Sequence, residues 1–356
     1  MSSEASRAGR APLRLAPKFV PRIWGARNLA PLFPERGAEP EPIGEAWLSG
    51  DDCLFASGPF QGQTLGNVWP SLSPEFTGTR LTGLPRIPIL VKFIFPEEKL
   101  SVQVHPNDAY ARENEAAPDG AGKTEMWYVI EAWMDAALRV GLRPGVTRES
   151  FEHAIAAGTA EECLASVPVH AGDAVYVPAG TAHTICPGVT LCEIQQQSDI
   201  TYRVFDYNRV GKDGKPRELH VRQALEVMQF GKQHGGLCYP IHMARPGATE
   251  TLYTACPYFA TERWEFGKRL RMATSTECFE LLIFLEGRGR IEFGDGAEEY
   301  SPSQVWLVPA ALGQYELAAA SHSSLLRTYV PDLNQLSERL RKEHVEESAL
   351  ARVVHA

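Results

Sequence analysis

Short apolar runs, each bounded by proline, glycine or polar residues, dominate the hydrophobic pattern of this chain. Runs of this length, rich in β-branched and aromatic residues and punctuated by turn-forming residues, are typical of β-strands rather than helices. The pattern therefore predicts a mainly β protein. The runs lie at residues 87–96, 100–105, 126–131, 174–178, 190–195, 281–285 and 305–309.

Helical periodicity is confined to a few segments of the chain. It predicts short helices over 109–116, over 148–157 after a candidate N-cap at Thr147, and over 221–230. Near the C-terminus, three leucines spaced for one helical face predict a surface-packing helix over 331–356. At the other end of the chain we expect residues 1–15 to form a disordered tail.

An internal repeat organises the chain. Residues 172–183, with the sequence GDAVYVPAGTAH, align with 303–314 without a gap, and the charged strand at 125–131 resembles 280–286. Each copy resembles a cupin, a double-sheet jelly-roll barrel. We therefore predict two cupin barrels with a few short helices. The first is a catalytic domain over 16–240 with a small helical insert, and the second covers 241–330.

Composition narrows the classes of function. The chain has 35 Lys and Arg against 44 Asp and Glu, a net charge of −9, which disfavours binding to nucleic acid or to an anionic membrane surface. Its seven scattered cysteines include no C-x-x-C pair and indicate reduced thiols. No apolar stretch approaches the ~20 residues of a membrane span, and the first residues lack a secretory signal. We expect a cytoplasmic monomer or homodimer.

Four side chains with nitrogen or oxygen ligand atoms are candidate metal ligands. Gln103 and His105 alternate with valines, so they project from one face of a strand. Glu125 begins the next strong strand, and His183 follows a tight turn. Two imidazoles, one carboxylate and one amide suit a borderline divalent cation. Zn²⁺ is the best match, although iron or manganese also fits these ligand types. The second copy has Gln314 in place of His183, so we expect that barrel to be metal-free.

Several longer segments of the chain carry a family resemblance. They are PRIWG (21–25), IGEAW (43–47), SVQVHPND (101–108), GKTEMWY (122–128), VPAGTAH (177–183) and EIQQQSDITYR (193–203). These segments closely resemble the type I phosphomannose isomerases, and they occur in the order found in that family. The resemblance covers most of the chain and indicates the short bacterial form, with departures at Asn107 and in the C-terminal third. It implies reversible conversion of mannose 6-phosphate to fructose 6-phosphate, with one zinc ion bound by the four candidate ligands.

Aldose–ketose exchange moves a proton between C1 and C2 through a cis-enediol, and so it needs a base and an electrophile. Arg203, which the resemblance marks as catalytic, offers permanently charged donors for the enediolate. Glu193 and Asp199 are the candidate bases. Lys123 is a candidate proton shuttle if burial or neighbouring cations lower its pKa. The residue types alone do not choose among these three.

The 6-phosphate requires a local cluster of cations in an acidic protein. Lys92, Lys123 and Arg203 are the cations within matched segments, and we expect them to bind it. Alternatively, Lys92 is a solvated lysine at a strand edge. Trp24 and Glu45 are expected to line the mouth of the pocket.

Three other functions compete with this interpretation. Two histidines and one glutamate imitate the facial triad of a mononuclear iron dioxygenase, but a fourth ligand at Gln103 leaves less open coordination. A non-catalytic sugar-phosphate sensor would need an output element, and the sequence shows no DNA-binding segment. An isomerase of the same family with an altered sugar preference stays open, because hydroxyl recognition depends on loops.

Overall fold

Four antiparallel sheets form the framework of the computed structural model, which describes residues 10–115, 120–211, 214–231, 235–294 and 296–356. The sheets pair into two double-sheet barrels, as the mainly β, two-barrel prediction requires. The seven-stranded sheet of one barrel faces the eight-stranded sheet of the other across a shared core that includes Phe93, Tyr128 and Leu281.

The first barrel consists of a seven-stranded and a five-stranded sheet. Trp127, Leu138 and Ile185 help to fill the space between them. In spatial order the larger sheet contains β14 (Gly236–Leu237), β10 (Ala174–Val177), β7 (Glu125–Ala132), β12 (Val189–Gln196), β5 (Ile89–Ile94), β3 (Ala38–Trp47) and β2 (Lys18–Asn28). The smaller sheet contains β13 (Tyr202–Phe205), β6 (Val102–Val104), β11 (His183–Thr184), β8 (Ala137–Leu142) and β9 (Leu164–Pro168).

The second barrel repeats this topology with an eight-stranded and a four-stranded sheet. In the large sheet the order is β22 (Val305–Val308), β19 (Glu280–Glu286), β24 (Ser323–Tyr329) and β17 (Ala260–Phe266), which matches β10-β7-β12-β5 of the first barrel. The sequence repeat is therefore also a repeat of strand order. The large sheet contains β15 (Ile241–Arg245), β16 (Ala248–Ala255), β17 (Ala260–Phe266), β24 (Ser323–Tyr329), β19 (Glu280–Glu286), β22 (Val305–Val308), β1 (Leu13–Ala16) and β4 (Leu54–Phe55). The small sheet contains β18 (Arg269–Ala273), β23 (Gln314–Ala319), β20 (Gly289–Phe293) and β21 (Gly296–Tyr300).

The N-terminal segment departs from the predicted boundaries. Residues 13–15, which we assigned to a disordered tail, belong to β1 and pair with β22 of the second barrel. β4, inside the predicted first domain, pairs with β1 in the same sheet. Leu13 and Leu15 are buried between the barrels, and this contact with a distant part of the chain orders the segment. Residues 1–9 of the predicted tail lie outside the described residues.

Helices are few and short. Thr147 caps α4 (Arg148–Ala157) by accepting a hydrogen bond from the Ser150 N–H at 3.2 Å, as its position before the periodic segment predicts. The C-terminal segment forms two helices instead of one, with His344 between them at a φ of 62°. No helix in the described ranges is both long and apolar enough to span a membrane. The helices are α1 (Leu65–Val68), α2 (Pro74–Thr77), α3 (Asp108–Asn114), α4 (Arg148–Ala157), α5 (Val221–Val227), α6 (Leu333–Lys342) and α7 (Glu347–Val353).

Alternation along the central strands of the first barrel determines which side chains enter its interior. On β5, Val91 and Phe93 face the second barrel, whereas Lys92 lines a cavity inside the first barrel together with Ile94. On β6, Val102 and Val104 pack under helices α4 and α5. The polar side chains between these apolar positions are thereby directed inward.

Candidate metal centre and active site

His105, Glu125 and His183 come together inside the first barrel although they belong to two different sheets. His105 follows β6 and His183 begins β11 in the five-stranded sheet, whereas Glu125 begins β7 in the seven-stranded sheet. His183 Nε2 lies 3.2 Å from Glu125 Oε1, and His105 Nε2 lies 3.7 Å from Glu125 Oε2. All three side chains are buried. The structure therefore brings three of the four candidate ligands into one cluster.

The two imidazoles are oriented for metal binding. His105 Nδ1 lies 2.8 Å from the Ile200 carbonyl oxygen, and His183 Nδ1 lies 2.9 Å from that of Thr181. Because a carbonyl oxygen only accepts, each Nδ1 carries the hydrogen and each Nε2 presents a lone pair to the cluster. Burial lowers the pKa of His183 to about 4. Burial and the nearby Lys123 charge hold the pKa of His105 well below its ordinary value. Both rings are therefore neutral near pH 7.

Glu125 is buried, and neither of its carboxylate oxygens accepts a hydrogen bond of good geometry from the described residues. The Lys123 ammonium lies 2.8 Å from Oε2. Burial raises the pKa of Glu125 to about 7, against the opposing charge of Lys123. Lys123 compensates this buried carboxylate in part, and a carboxylate beside two imidazole lone pairs is a donor set that fits a divalent metal such as zinc.

Gln103 lies at the edge of the same cluster. It is directly opposite His183 across the β6–β11 pairing, and its Nε2 lies 3.2 Å from His183 Nε2. Its Oε1 accepts a hydrogen bond from Ser101 Oγ at 3.1 Å. Rotation of the Gln103 side-chain amide by 180° exchanges Oε1 and Nε2, which are nearly equal in size, and directs Oε1 to the cluster. The fourth candidate ligand is thus within reach of the metal position.

A second charged pair lies on the neighbouring strands. Glu193 on β12 is directly opposite both Lys92 on β5 and Trp127 on β7. Lys92 Nζ lies 3.2 Å from Glu193 Oε2, and Trp127 Nε1 donates to Glu193 Oε1 at 3.2 Å. Burial alone would raise the pKa of Glu193, but the charges of Lys123 and Lys92 lower it to about 2. Glu193 is therefore an ionised and firmly held carboxylate, and Lys92 is a buried ion-pair partner rather than a solvated edge lysine.

Lys123 does not meet the condition that we attached to its role as a proton shuttle. Burial favours a lower pKa for its ammonium group, but the charges of Glu125 and Glu193 outweigh burial and raise the pKa above its ordinary value. Lys123 is thus a fixed cation between two carboxylates.

A cavity of about 470 Å³ opens beside the metal cluster. Trp24 and Glu45 are buried in its wall rather than placed at its mouth. Asp199 is at the open side, with 65% of its side chain exposed and Oδ1 4.0 Å from the Lys92 ammonium. Eight of the predicted site residues line the cavity, namely Trp24, Glu45, Lys92, Gln103, Lys123, Glu193, Asp199 and Arg203.

Arg203 is adjacent to the ligand set because it is directly opposite Gln103 in the β13–β6 pairing. Its Nε donates to Ser101 Oγ at 3.1 Å, and its Nη1 donates to the Glu218 carbonyl at 3.3 Å. Both of these partners are neutral, in contrast to the carboxylates that hold Lys92 and Lys123. Its charge is therefore well suited to interact with an anion in the cavity.

Two further arginines in the cavity wall were missed by the sequence analysis. Arg22 Nη2 lies 2.9 Å from Glu45 Oε2, and Arg217 Nε donates to the buried Asp206 at 2.7 Å. Arg22 belongs to the matched segment 21–25, and that match could have identified it as a site residue. Arg217 follows β13 in an irregular stretch, where no pattern singles it out.

Comparisons with known proteins identify relatives over most of the chain. No family model matches it. It is 34% identical over 314 residues to the probable mannose-6-phosphate isomerase GmuF of Bacillus subtilis, covering 86% of this chain and 96% of that protein. It is 33% identical to the mannose-6-phosphate isomerase ManA of the same organism, with 86% and 95% covered. For the mannose-6-phosphate isomerase of Streptococcus mutans the identity is also 33%, with 82% and 89% covered.

Solved structures agree with these sequence relatives. The crystal structure of mannose 6-phosphate isomerase from Bacillus subtilis superposes with a TM-score of 0.80 at 29% identity, covering 90% of this chain and 99% of that one. A zinc-bound mannose 6-phosphate isomerase shares the fold, with a TM-score of 0.70 at 15% identity and 90% and 99% covered. On the strength of the curated relatives, which this chain matches over nearly their whole length, the chain belongs to the mannose-6-phosphate isomerase family.

Proposed function

We propose that this protein interconverts mannose 6-phosphate and fructose 6-phosphate with one zinc ion per chain. The observation that carries the proposal is the buried Glu125 carboxylate with two neutral imidazole nitrogens directed toward it, beside a cavity lined by cations. The names of the relatives support the reaction, and a zinc-bound structural neighbour supports the metal. The proposed zinc ligands are Gln103, His105, Glu125 and His183.

The zinc ion would act as a Lewis acid that polarises a substrate oxygen. Arg203, beside Gln103, stabilises the negative charge that develops on O1 or O2 of the enediolate. A fixed guanidinium in the cavity wall is effective at this because it needs little reorganisation when charge develops. Lys123 adds a second fixed positive charge between Glu125 and Glu193.

We assign proton transfer between C1 and C2 to Glu193 rather than to Asp199. Geometry supports this choice, since Glu193 is held in the cavity wall by Lys92 and Trp127, whereas Asp199 is largely exposed at the opening. A low pKa keeps Glu193 ionised at neutral pH, and this limits its basicity. Asp199 then contributes to substrate entry beside Lys92.

The arginines of the cavity wall are the best candidates to bind the 6-phosphate. Lys92 is already paired with Glu193 and lies 5.0 Å from the centre of the Trp47 ring. It therefore attracts the phosphate by its charge at a distance rather than by a direct hydrogen bond. Arg22 and Arg217 carry donors beyond those paired with Glu45 and Asp206. Planar guanidinium groups bind phosphate oxygens in pairs. We therefore place the phosphate near these two residues.

The alternative functions fit the cavity less well. A dioxygenase acting on a neutral substrate has no use for the cations Arg22, Lys92, Lys123, Arg203 and Arg217 that surround this cavity. A sensor has no use for an ionised carboxylate fixed beside the metal cluster. We also propose a cytoplasmic enzyme, as a monomer or homodimer, on the composition given above.

The test is a coupled assay of mannose 6-phosphate conversion with protein as purified, after chelation, and after return of zinc. Other hexose 6-phosphates are assayed in parallel to detect an altered sugar preference. Conversion should disappear with chelation and return with zinc. His183→Ala should lose zinc and activity together, whereas the exposed His322→Ala control should keep both. Absence of mannose 6-phosphate conversion by zinc-loaded protein would contradict the proposal.

A further inference from the structure

The segment between His105 and Glu125 must fold back on itself for the two ligands to meet. After His105 the chain forms α3 and then returns to β7, with residues 116–119 outside the described part. The Lys123 N–H donates to the Pro106 carbonyl at 2.9 Å. A Cβ placed on Gly122 would lie 2.5 Å from the Asn107 carbonyl carbon, so the returning backbone touches the outgoing one directly.

Two polar side chains hold this returning segment from both sides of Lys123. Asp108 Oδ1 accepts hydrogen bonds from the Gly122 N–H at 2.7 Å and from Gln196 Nε2 at 2.8 Å. Gln196 Oε1 in turn accepts from the Thr124 N–H at 2.8 Å. The backbone of Gln196 also donates to the Thr124 carbonyl at 3.1 Å. The peptide groups before and after Lys123 are therefore fixed by the same pair of side chains.

The pair also connects the parts of the fold that supply the ligands. Asp108 begins α3, just beyond the strand that leads to His105, and Gln196 ends β12 of the opposite sheet. Gln196 is buried. Thr124, between them, accepts a hydrogen bond at Oγ1 from the Ala179 N–H at 3.2 Å, in the turn that precedes His183. One network thus reaches the segments of all three clustered ligands.

We propose that Asp108 and Gln196 are positioning residues for the metal centre. Their hydrogen bonds hold residues 122–125 so that Glu125 meets the two imidazoles and Lys123 takes its place between Glu125 and Glu193. Without them, the loop carrying Lys123 and Glu125 samples more conformations, and ordering it again opposes metal binding. The effect on zinc affinity is independent of the reaction, whereas the effect on turnover rests on the proposed function.

The test compares Asp108→Ala and Gln196→Leu with the conservative Asp108→Asn, which keeps an acceptor oxygen for Gly122. Zinc affinity is measured by competition with a chromogenic chelator, and kcat and KM are measured at saturating zinc. Both disruptive variants should bind zinc ~10–100-fold more weakly, as is typical when partners of metal ligands are removed. With zinc saturating, kcat should fall more than KM changes. Asp108→Asn should recover most of both losses.

Asp332→Ala is the matched control. Asp332 also accepts two backbone N–H groups, those of Asn334 and Gln335, both at 2.9 Å, but it does so at the start of α6 in the second barrel. We expect this variant to lose stability while keeping zinc affinity and kcat. An equal loss of zinc affinity in Asp332→Ala would show that general destabilisation is responsible and would overturn the proposal.

Gln196→Glu keeps the test decisive if Asp108→Ala does not fold. It preserves the acceptor for Thr124 but sets a carboxylate against Asp108, so zinc affinity should fall, and adding Asp108→Asn should restore it. Zinc affinity within about twofold of wild type in both Gln196 variants would overturn the proposal. Wild-type protein that binds zinc but does not isomerise the sugar would contradict the proposed function alone.

Discussion

Two buried carboxylates in one cavity wall have opposite protonation behaviour because their immediate neighbours differ. Glu125 lies 2.8 Å from the Lys123 ammonium, but full burial, aided by the like charge of Glu193, prevails and raises the pKa of Glu125 to about 7. Glu193 is near two cations and also accepts from Trp127, and these contacts lower its pKa to about 2. Such divergence separates the roles of acids in an active site. Here the divergence agrees with the proposed roles of Glu125 as a metal ligand and of Glu193 as the ionised group for proton transfer.

Arg203 provides the sharpest test of a single side chain. Arg203→Ala should retain zinc, since its contacts are to Ser101 and the Glu218 carbonyl and not to the buried cluster. It should lower kcat by ~10²–10³-fold because a preorganised donor for the enediolate is lost. Steady-state kinetics and metal analysis of the same preparation check both parts.

The Arg203 prediction has a matched control and two results that would contradict it. The exposed Arg271→Ala in the second barrel serves as control and should leave kcat unchanged. Near wild-type kcat in Arg203→Ala would show that the enediolate charge is stabilised elsewhere. Loss of zinc from Arg203→Ala would instead make Arg203 a support for Gln103.

At the level of elements, the turn before β11 places His183 as firmly as the strands do. Gly180 has a φ of 84°, its N–H donates to the His105 carbonyl at 2.8 Å, and its carbonyl accepts from the Gln229 N–H at 3.0 Å. A Cβ here would lie 2.9 Å from the Val227 carbonyl oxygen. The turn is therefore hydrogen-bonded to the backbone of His105, and Gly180 precedes His183 by three residues.

Gly180→Ala should weaken zinc binding as well as the fold. A non-glycine residue at this φ costs ~1–2 kcal/mol, and the clash with Val227 displaces the turn that carries His183. Gly145→Ala is the control, because Gly145 has a φ of 85° and nothing within 4 Å of its Cβ position. Denaturant unfolding and chelator competition should show a stability loss in both variants and weaker zinc binding only in Gly180→Ala. Unchanged zinc affinity in Gly180→Ala would contradict this account.

At the scale of the whole molecule, the two barrels share a register but carry inverted charges at one matched position. In the first barrel Glu193 is opposite Lys92. In the second, Arg327 on β24 is opposite Glu262 on β17, in the equivalent pair of strands. Arg327 Nη1 lies 2.9 Å from Glu262 Oε2, and Arg327 also pairs with Glu280, the counterpart of Glu125. A guanidinium thus neutralises these second-barrel acids, which supports our expectation that this barrel needs no metal.

Arg327→Met should destabilise the protein without changing the metal centre. The substitution removes the guanidinium partner of Glu280 and leaves Glu262 paired with Arg339, and loss of one partner of a buried ion pair costs ~3–5 kcal/mol. Arg271→Met, at a side chain that is 92% exposed, should change the free energy of unfolding by less than ~0.5 kcal/mol. Urea unfolding and kcat at a temperature where all variants are folded provide the measurements. A loss below ~1 kcal/mol in Arg327→Met would show that Glu280 has another way of being neutralised.

Much of this architecture follows from local pattern. Alternation in residues 101–105 predicted which side chains enter the barrel, and the repeat predicted two similar barrels. Thr147 marked the start of α4 because a capping hydroxyl acts within three residues. By contrast, residues 13–15 were mistaken for a tail, since the partner that orders them, β22, lies about 290 positions away in the chain.

The amino-acid sequence by itself determined the strand pattern, the two-barrel repeat and the chemical types of the ligands, because side-chain periodicity and turn preferences act over a few residues. Only the tertiary structure decided the direction of the Lys123 pKa shift, the presence of Arg22 and Arg217 in the cavity and the hydrogen bonds of Asp108 and Gln196. Each of these depends on charges or donors brought together from distant strands. Such contacts are set by sheet pairing, and their strength depends on burial that a linear pattern does not contain.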